Sequence, residues 1–273
     1  MDMDFTPDEL AFQAEVRSFL KSHLTDRLIE GARRTPGVFV EPDIGLEWQC
    51  ILHEKGWLAV HWPVEDGGTG WTPTQKFIFE KECALAGAPS LAILGLRLVG
   101  PVICEFGTPE QKARFLTPMA AGEVIWAQAW SEPGAGSDMA AIKTTAYRDG
   151  DHYVINGQKV WISRVQHSDL MILLARTTPL ADLKKKSEGM SIFLVDLREA
   201  IGNGMTVQPI ANMVNHETNE LFFDNLEIPA DSLIGEEGKG FRYILDGLNA
   251  ERTLIAAECI GDGRWFIEKA SAY

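Results

Sequence analysis

Apolar positions recur at helical spacing through the first part of the chain. Phe12, Val16, Phe19 and Leu20 fall on one face. Thr6-Pro7-Asp8-Glu9 stands just ahead of them. It combines an N-cap hydroxyl, a proline at the first helical position and a carboxylate at the third, which together form a capping box. Thr108-Pro109-Glu110-Gln111 repeats the arrangement before Phe115 and Leu116. Between them, "PVEDGGTGWTP" (63–73) predicts a loop from its Gly and Pro content. After Gly122 the period changes. "AYRDGDHYVINGQKVWIS" carries Asp149-Gly150 and Asn156-Gly157 between strand-like residues, and each dipeptide predicts a hairpin turn. "GMSIFLVDL", "MTVQPI" and "NELFFDNLEIP" continue as short strands. From Gly240 the helical period returns, with Phe241, Ile244, Leu245, Leu248 and Ile255 on one broad face and a second helix starting near Gly263. The pattern predicts an α+β, multidomain chain. Residues 1–123 form an all-α domain, 124–234 an antiparallel β domain built as a barrel or sandwich, and 235–273 the start of further helices.

Charge narrows the partners. Lys and Arg total 25 against 39 Asp and Glu, a net charge of -14. Such a chain is repelled by nucleic acid and by anionic lipid surfaces. Its apolar stretches are also too short and interrupted to span a bilayer. A small molecule or a protein is therefore the expected partner. The N-terminal "MDMDFTPDEL" has neither a basic region with an apolar core nor an Arg- and Ser-rich transit pattern, so a cytoplasmic protein is expected. Cys50, Cys83, Cys104 and Cys259 show no C-x-x-C spacing, and they read as reduced, mostly buried thiols.

Most motifs tested against the sequence fail. Gly134-Ala135-Gly136 begins a dinucleotide fingerprint, but Met139 occupies the third glycine position and hairpins follow where a βαβ unit is needed. "GEEGKG" (235–240) places Gly240 where a phosphate loop needs Ser or Thr. Ser131 and Ser137 lie outside any G-x-S-x-G elbow. His53-Glu54 and His216-Glu217 lack the second histidine of a zinc motif. No metal site is expected. Two features remain: the Ser- and Gly-rich "AWSEPGAGSD" (129–138) and Trp161-Ile162-Ser163. A flat aromatic beside a hydroxyl can serve as a platform for a planar, hydrogen-bonding ring. Taken as an isolated Trp, Trp161 reads as core in preference to a platform.

"AQAWSEPGAGSDMAAIKT" followed by "YVINGQKVWIS" closely resembles the flavin-binding segments of acyl-CoA dehydrogenases. "FGTPEQKARFLTPMAAGE", "LFFDNLEIPADSLIGEEGKGF" and "AERTLIAAECIG" extend the resemblance, in order, along essentially the whole chain. It implies a helical domain, a β domain and a C-terminal helical bundle, most of which lies outside this sequence. It also implies bound FAD, with Gln128, Trp130, Ser131, Gly136 and Ser137 passing along it. Ser131 would hydrogen-bond the isoalloxazine, and Trp161 and Ile162 would lie against it. Ser163 would reach its N5 side, where many members carry Thr. Ser137 would also touch the CoA thioester arm, and Gln128 replaces an aromatic found in some members. Glu132 and Asp138 are expected to shape the loop by bonding backbone N–H groups.

The chemistry implied needs a base for the α-proton of the thioester. In one subset of the family that base is a Glu immediately before an Arg on the first helix of the C-terminal domain, and Glu251-Arg252 matches it. Spacing adds an independent reason. Ile244, Leu248, Glu251 and Ile255 share one stripe, where lost hydration raises a carboxyl pKa toward that of a working base. Position on the stripe alone leaves a base and a solvent-turned boundary Glu even; the Glu-Arg pair decides for the base. Arg252 and Asn249 match positions near the acyl thioester and the CoA arm. "LAILGLRLV" (91–99) reads either as acyl-pocket lining or as helix core. The resemblance further implies an electron-transfer flavoprotein as acceptor and a homo- or hetero-tetramer. An acyl-CoA oxidase or related flavin monooxygenase, and a non-catalytic CoA-binding subunit, are the rival readings.

Overall fold

A computed structural model describes residues 4–35, 39–91, 94–213, 217–245, 263, 266–267 and 269–273. Helices α1 (Pro7–His23), α2 (Asp26–Arg33), α3 (Pro42–Lys55), α4 (Pro73–Ala86), α5 (Gly100–Phe106) and α6 (Pro109–Ala121) precede the strands. Both predicted capping boxes form: the Thr6 hydroxyl accepts from the Glu9 amide, and the Thr108 hydroxyl from the Gln111 amide. A third box, Thr72 with Gln75, starts α4 where the predicted loop ends. Between α4 and α5, Leu94–Val99 forms a π-helical turn, a wider winding that recurs at functional sites.

Strands β1 (Trp126–Ala129), β2 (Thr145–Asp149), β3 (His152–Ser163), β4 (Leu170–Arg176), β5 (Met190–Asp196), β6 (Met205–Pro209), β7 (Thr218–Pro229) and β8 (Leu233–Ile234) form one sheet. Its order is β6-β7-β3-β2-β4-β5-β8, with β1 beside β4, and it does not close into a barrel. Nor is it wholly antiparallel: β1 and β4 run parallel over four residue pairs, and β2 meets β4 in parallel at Thr145 and Arg176. Strand β4 is buried along its whole length and shows no alternation to read. Its residues nevertheless face two cores. Leu170, Ile172 and Leu174 join the core shared with the helices, whereas Met171, Leu173 and Ala175 join the core enclosed by β3, β6 and β7.

The two hairpin dipeptides part company. Asp149-Gly150 turns between β2 and β3, as expected. Asn156-Gly157 does not turn; it lies inside β3 at a bulge against β7. Asn156 donates to Asn225 Oδ1 at 3.2 Å and accepts from the Asn225 amide at 2.9 Å, so a distant strand fixes the bulge. Gly157 has φ +150°, and a Cβ there would stand 2.5 Å from Thr144 Oγ1. Gly157→Ala should therefore cost about 1–3 kcal/mol, read as a lowered urea midpoint at unchanged slope. A midpoint equal to the parent's would contradict this packing.

The strand β8 leads through a turn into a helix that begins at Gly240. Gly240 is required there by close approach, since its Cβ would meet the Ile192 amide nitrogen at 2.8 Å. Ile244 of the predicted apolar face is buried and Phe241 and Leu245 are half-buried; Tyr243, outside that face, is buried as well. The cysteines depart from expectation: Cys104 is buried and Cys83 half-buried, but Cys50 is exposed; Cys259 lies outside the described residues. Among the described residues, no helix is long and apolar enough to cross a membrane.

Candidate active site

The chain leaves β1 at Ala129 and enters the Ser- and Gly-rich loop. Glu132 and Ala135 exchange backbone hydrogen bonds of 3.0 Å in both directions, pinching Pro133-Gly134 into a tight turn. The Glu132 side chain points the other way, into the protein, and is only 7% exposed. Its carboxylate accepts from the Lys143 amide at 2.6 Å, the Thr144 amide at 2.9 Å and Lys159 Nζ at 2.9 Å. The expectation that Glu132 shapes the loop through backbone N–H groups is met. Asp138 makes no such side-chain bond among the described residues; it contributes its carbonyl, which accepts from the Ala141 amide.

Lys159 is wholly buried on β3. It donates a second hydrogen bond to the Trp130 carbonyl at 2.9 Å, so one ammonium ties the loop to its anchor. Burial pushes the Lys159 pKa down to about 8 against the pull of Glu132. Burial also pushes the Glu132 carboxyl up, but Lys159, the Thr144 hydroxyl and the two amides outweigh it and hold it below the ordinary carboxylate range. The pair is charged at neutral pH. Sequence reading missed Lys159, because a lysine inside a strand reads as solvent-facing.

Just beyond Lys159 the register of β3 against β7 shifts, and Trp161 takes φ +63°. A left-handed backbone on a bulky aromatic costs about 1–2 kcal/mol and is a true outlier. The strain turns the indole outward: Trp161 is 63% exposed. The reading of Trp161 as core is therefore wrong, although Ile162 beside it is buried.

An open cleft lies over this strained turn, lined by Leu94, Gln128, Trp130, Ser131, Met139, Trp161, Ile162 and Ser163. It gathers the predicted flavin residues from β1, the loop and β3, except Gly136 and Ser137, which are exposed and lie outside the lining. Leu94 and Met139 were not predicted here. Leu94 comes from the segment read as either acyl-pocket lining or helix core: Leu94 faces the cleft, while Leu96, Leu98 and Val99 are core. In the sequence, Met139 stands out only where it breaks a dinucleotide motif. Glu251, Arg252 and Asn249 lie outside the described residues.

The donor set suits a flavin. Trp161 offers an exposed aromatic face, and Ser131, Ser163 and Gln128 offer hydroxyls and an amide around it. The indole N–H of Trp130 is buried without an acceptor, inside the cleft wall. Among the described residues, neither the Ser131 hydroxyl nor its amide N–H has a protein partner.

Comparison with known proteins gives the family. Residues 6–123 match the acyl-CoA dehydrogenase N-terminal domain, and residues 127–226 match the acyl-CoA dehydrogenase middle domain. Acyl-CoA dehydrogenase FadE26 of Mycobacterium tuberculosis is 35% identical over 94% of this chain and 63% of its own length. The solved ChsE4-ChsE5 complex from Mycobacterium tuberculosis contains a chain 34% identical over 91% of this one and 61% of its own, with a TM-score of 0.76. The Tcur3481-Tcur3483 steroid ACAD is 30% identical over 92% of this chain and 63% of its own, with a TM-score of 0.77. The chain thus spans a little under two thirds of the length of these relatives. It belongs to the acyl-CoA dehydrogenase family, by sequence over both of the family's first two domains and by fold.

Proposed function

We propose that this protein removes hydrogen from the α and β carbons of an acyl-CoA thioester, giving a trans-2-enoyl-CoA, with FAD seated in the cleft over Trp161. The observation that carries this reading is the cleft itself, where a strained backbone holds a large indole in solvent beside the Ser131 hydroxyl and amide N–H, neither of which has a partner among the described residues. Such strain is retained where function requires it. Bound FAD would supply the acceptor for the β-hydride. The chain's own residues have three tasks. Trp161 covers one face of the ring and keeps water from it. Ser131 and Ser163 hold its polar edge, and Glu251 takes the α-proton, with Arg252 and Asn249 toward the thioester and Ser137 along its arm. Domains at 1–123, 124–234 and 235–273 fit this division of labour. An electron-transfer flavoprotein is the proposed acceptor, and a tetramer, homo- or hetero-, is the proposed assembly; the hetero-complex among the solved relatives supports the latter.

The test is FAD titration of the full-length protein, followed by anaerobic mixing with a panel of straight, branched and polycyclic acyl-CoA thioesters. The relative described as a steroid ACAD puts polycyclic thioesters first in that panel. Bleaching of the bound flavin by one of them is expected; no flavin binding would favour a non-catalytic subunit. Fast reoxidation of the reduced protein by air alone would favour an oxidase.

Trp161→Gly separates function from folding. Glycine accepts φ +63° freely, so the strain is relieved and stability should stay within about 1 kcal/mol of the parent. FAD affinity should fall roughly tenfold or more, since the ring loses its stacking face. Unchanged affinity would remove Trp161 from the flavin site.

A further inference from the structure

Two cations and one carboxylate are buried beneath the loop. Lys159 is 0% exposed, Arg176 4% and Glu132 7%. Arg176 gives its N–H groups to the carbonyls of Ala140, Ile142, Lys186 and Glu188, at 2.9–3.3 Å, and to no carboxylate. The side chains of Lys143, Lys186 and Glu188 nearby are exposed, where water screens them. The buried charge under the loop is therefore positive. Lys159 directs its part of that charge at one peptide group. Its Nζ lies 2.9 Å from the Trp130 carbonyl oxygen, and the N–H at the other end of that peptide belongs to Ser131, in the cleft wall. An ammonium on the carbonyl draws electron density through the peptide and makes its N–H a stronger donor. That N–H has no partner among the described residues.

We propose that Lys159, held in place by Glu132, is a positioning residue that polarises the Trp130–Ser131 peptide toward the cleft, so that the site binds an anionic reduced flavin more tightly than the neutral oxidised one. This rests on the flavin reading above. The Arg176 charge adds to the same preference from behind the 140–142 segment. Lys159 does not touch the ligand; it acts through the peptide.

The experiment measures the dissociation constants of oxidised and reduced FAD, and the midpoint potential of bound FAD, in the full-length protein and in Lys159→Met, Lys159→Gln and Lys159→Arg. The parent should bind reduced FAD more tightly than oxidised. The Met and Gln variants should lose about tenfold or more of that preference, the worth of one charge-assisted hydrogen bond, with a fall in potential. The Arg variant, still charged, should keep most of it. A purely structural role would weaken both forms alike, leaving the ratio and the potential unchanged in Met and Gln, and that result would overturn the proposal. If neither variant folds, the parent decides alone: a bound potential at or below that of free FAD refutes it. A parent that binds no FAD instead refutes the flavin reading itself.

Discussion

Glu251→Gln in the full-length protein should lower acyl-CoA turnover about 10²–10⁴-fold, the range for loss of a general base. Flavin absorbance and thioester binding should survive, because glutamine keeps the size and polarity of the side chain and loses only its basicity. Glu251 lies outside the described residues, and three other observations point to it. The Glu251-Arg252 pair matches the family subset whose base lies on this helix. The helix that begins at Gly240 buries Ile244, so the stripe to which Glu251 belongs by spacing is the inward one where it is described. And the described cleft lining, rich in hydroxyls, aromatics and amides, contains no carboxylate of its own. A proton acceptor must then come from elsewhere. Rapid mixing with substrate reads the result directly: the parent bleaches its flavin within the turnover time, and the variant binds without bleaching. Bleaching at the parent rate would assign the base to a residue outside this sequence.

What could be read from sequence follows from how local each determinant is. The capping boxes at Thr6 and Thr108 and the turn at Asp149-Gly150 need only their neighbours, and all form as expected. Asn156-Gly157 carries the same local signal as a turn but is overruled by Asn225, far along the chain on β7. The strand β4 escaped notice because a strand buried on both faces has no period to show. Its parallel pairing with β1 joins segments far apart in sequence, and no local pattern encodes it. At the site, the resemblance named Gln128, Trp130, Ser131, Trp161, Ile162 and Ser163, and the fold brings them together. The φ of Trp161, which explains its exposure, is a property of the bulge and not of the residue. Lys159 shows the limit most clearly: its burial depends on a carboxylate and a carbonyl arriving from the loop nearly thirty residues earlier, at |i−j| of 27 and 29.

That buried pair carries the largest expected effect on stability. Glu132→Ala leaves the Lys159 ammonium without its counter-charge at 0% exposure and strands the Lys143 and Thr144 amides. Breaking one side of a buried ion pair costs about 3–5 kcal/mol. For a chain of this size that lowers the melting temperature by roughly 10 °C. Lys159→Met added to Glu132→Ala should recover part of the loss, because the uncompensated charge goes while the two stranded amides remain. The pH dependence distinguishes the charges. Glu132 is held below the ordinary carboxylate range, so its contribution is present at neutral pH and is lost as pH falls through its lowered pKa. Lys159 is lowered to about 8 from its ordinary 10.5, so between those values the unfolded chain binds more protons and stability rises with pH. Without Glu132 the Lys159 pKa falls further, and the window of rising stability extends below 8. The single variant should therefore gain stability from pH 7 to pH 9 more steeply than the parent, and the double variant should lose that gain. Calorimetry across this range decides it: a single variant within about 1 kcal/mol of the parent at pH 7, or one with no steeper rise toward pH 9, would mean that Glu132 does not hold Lys159 in its charged, buried place.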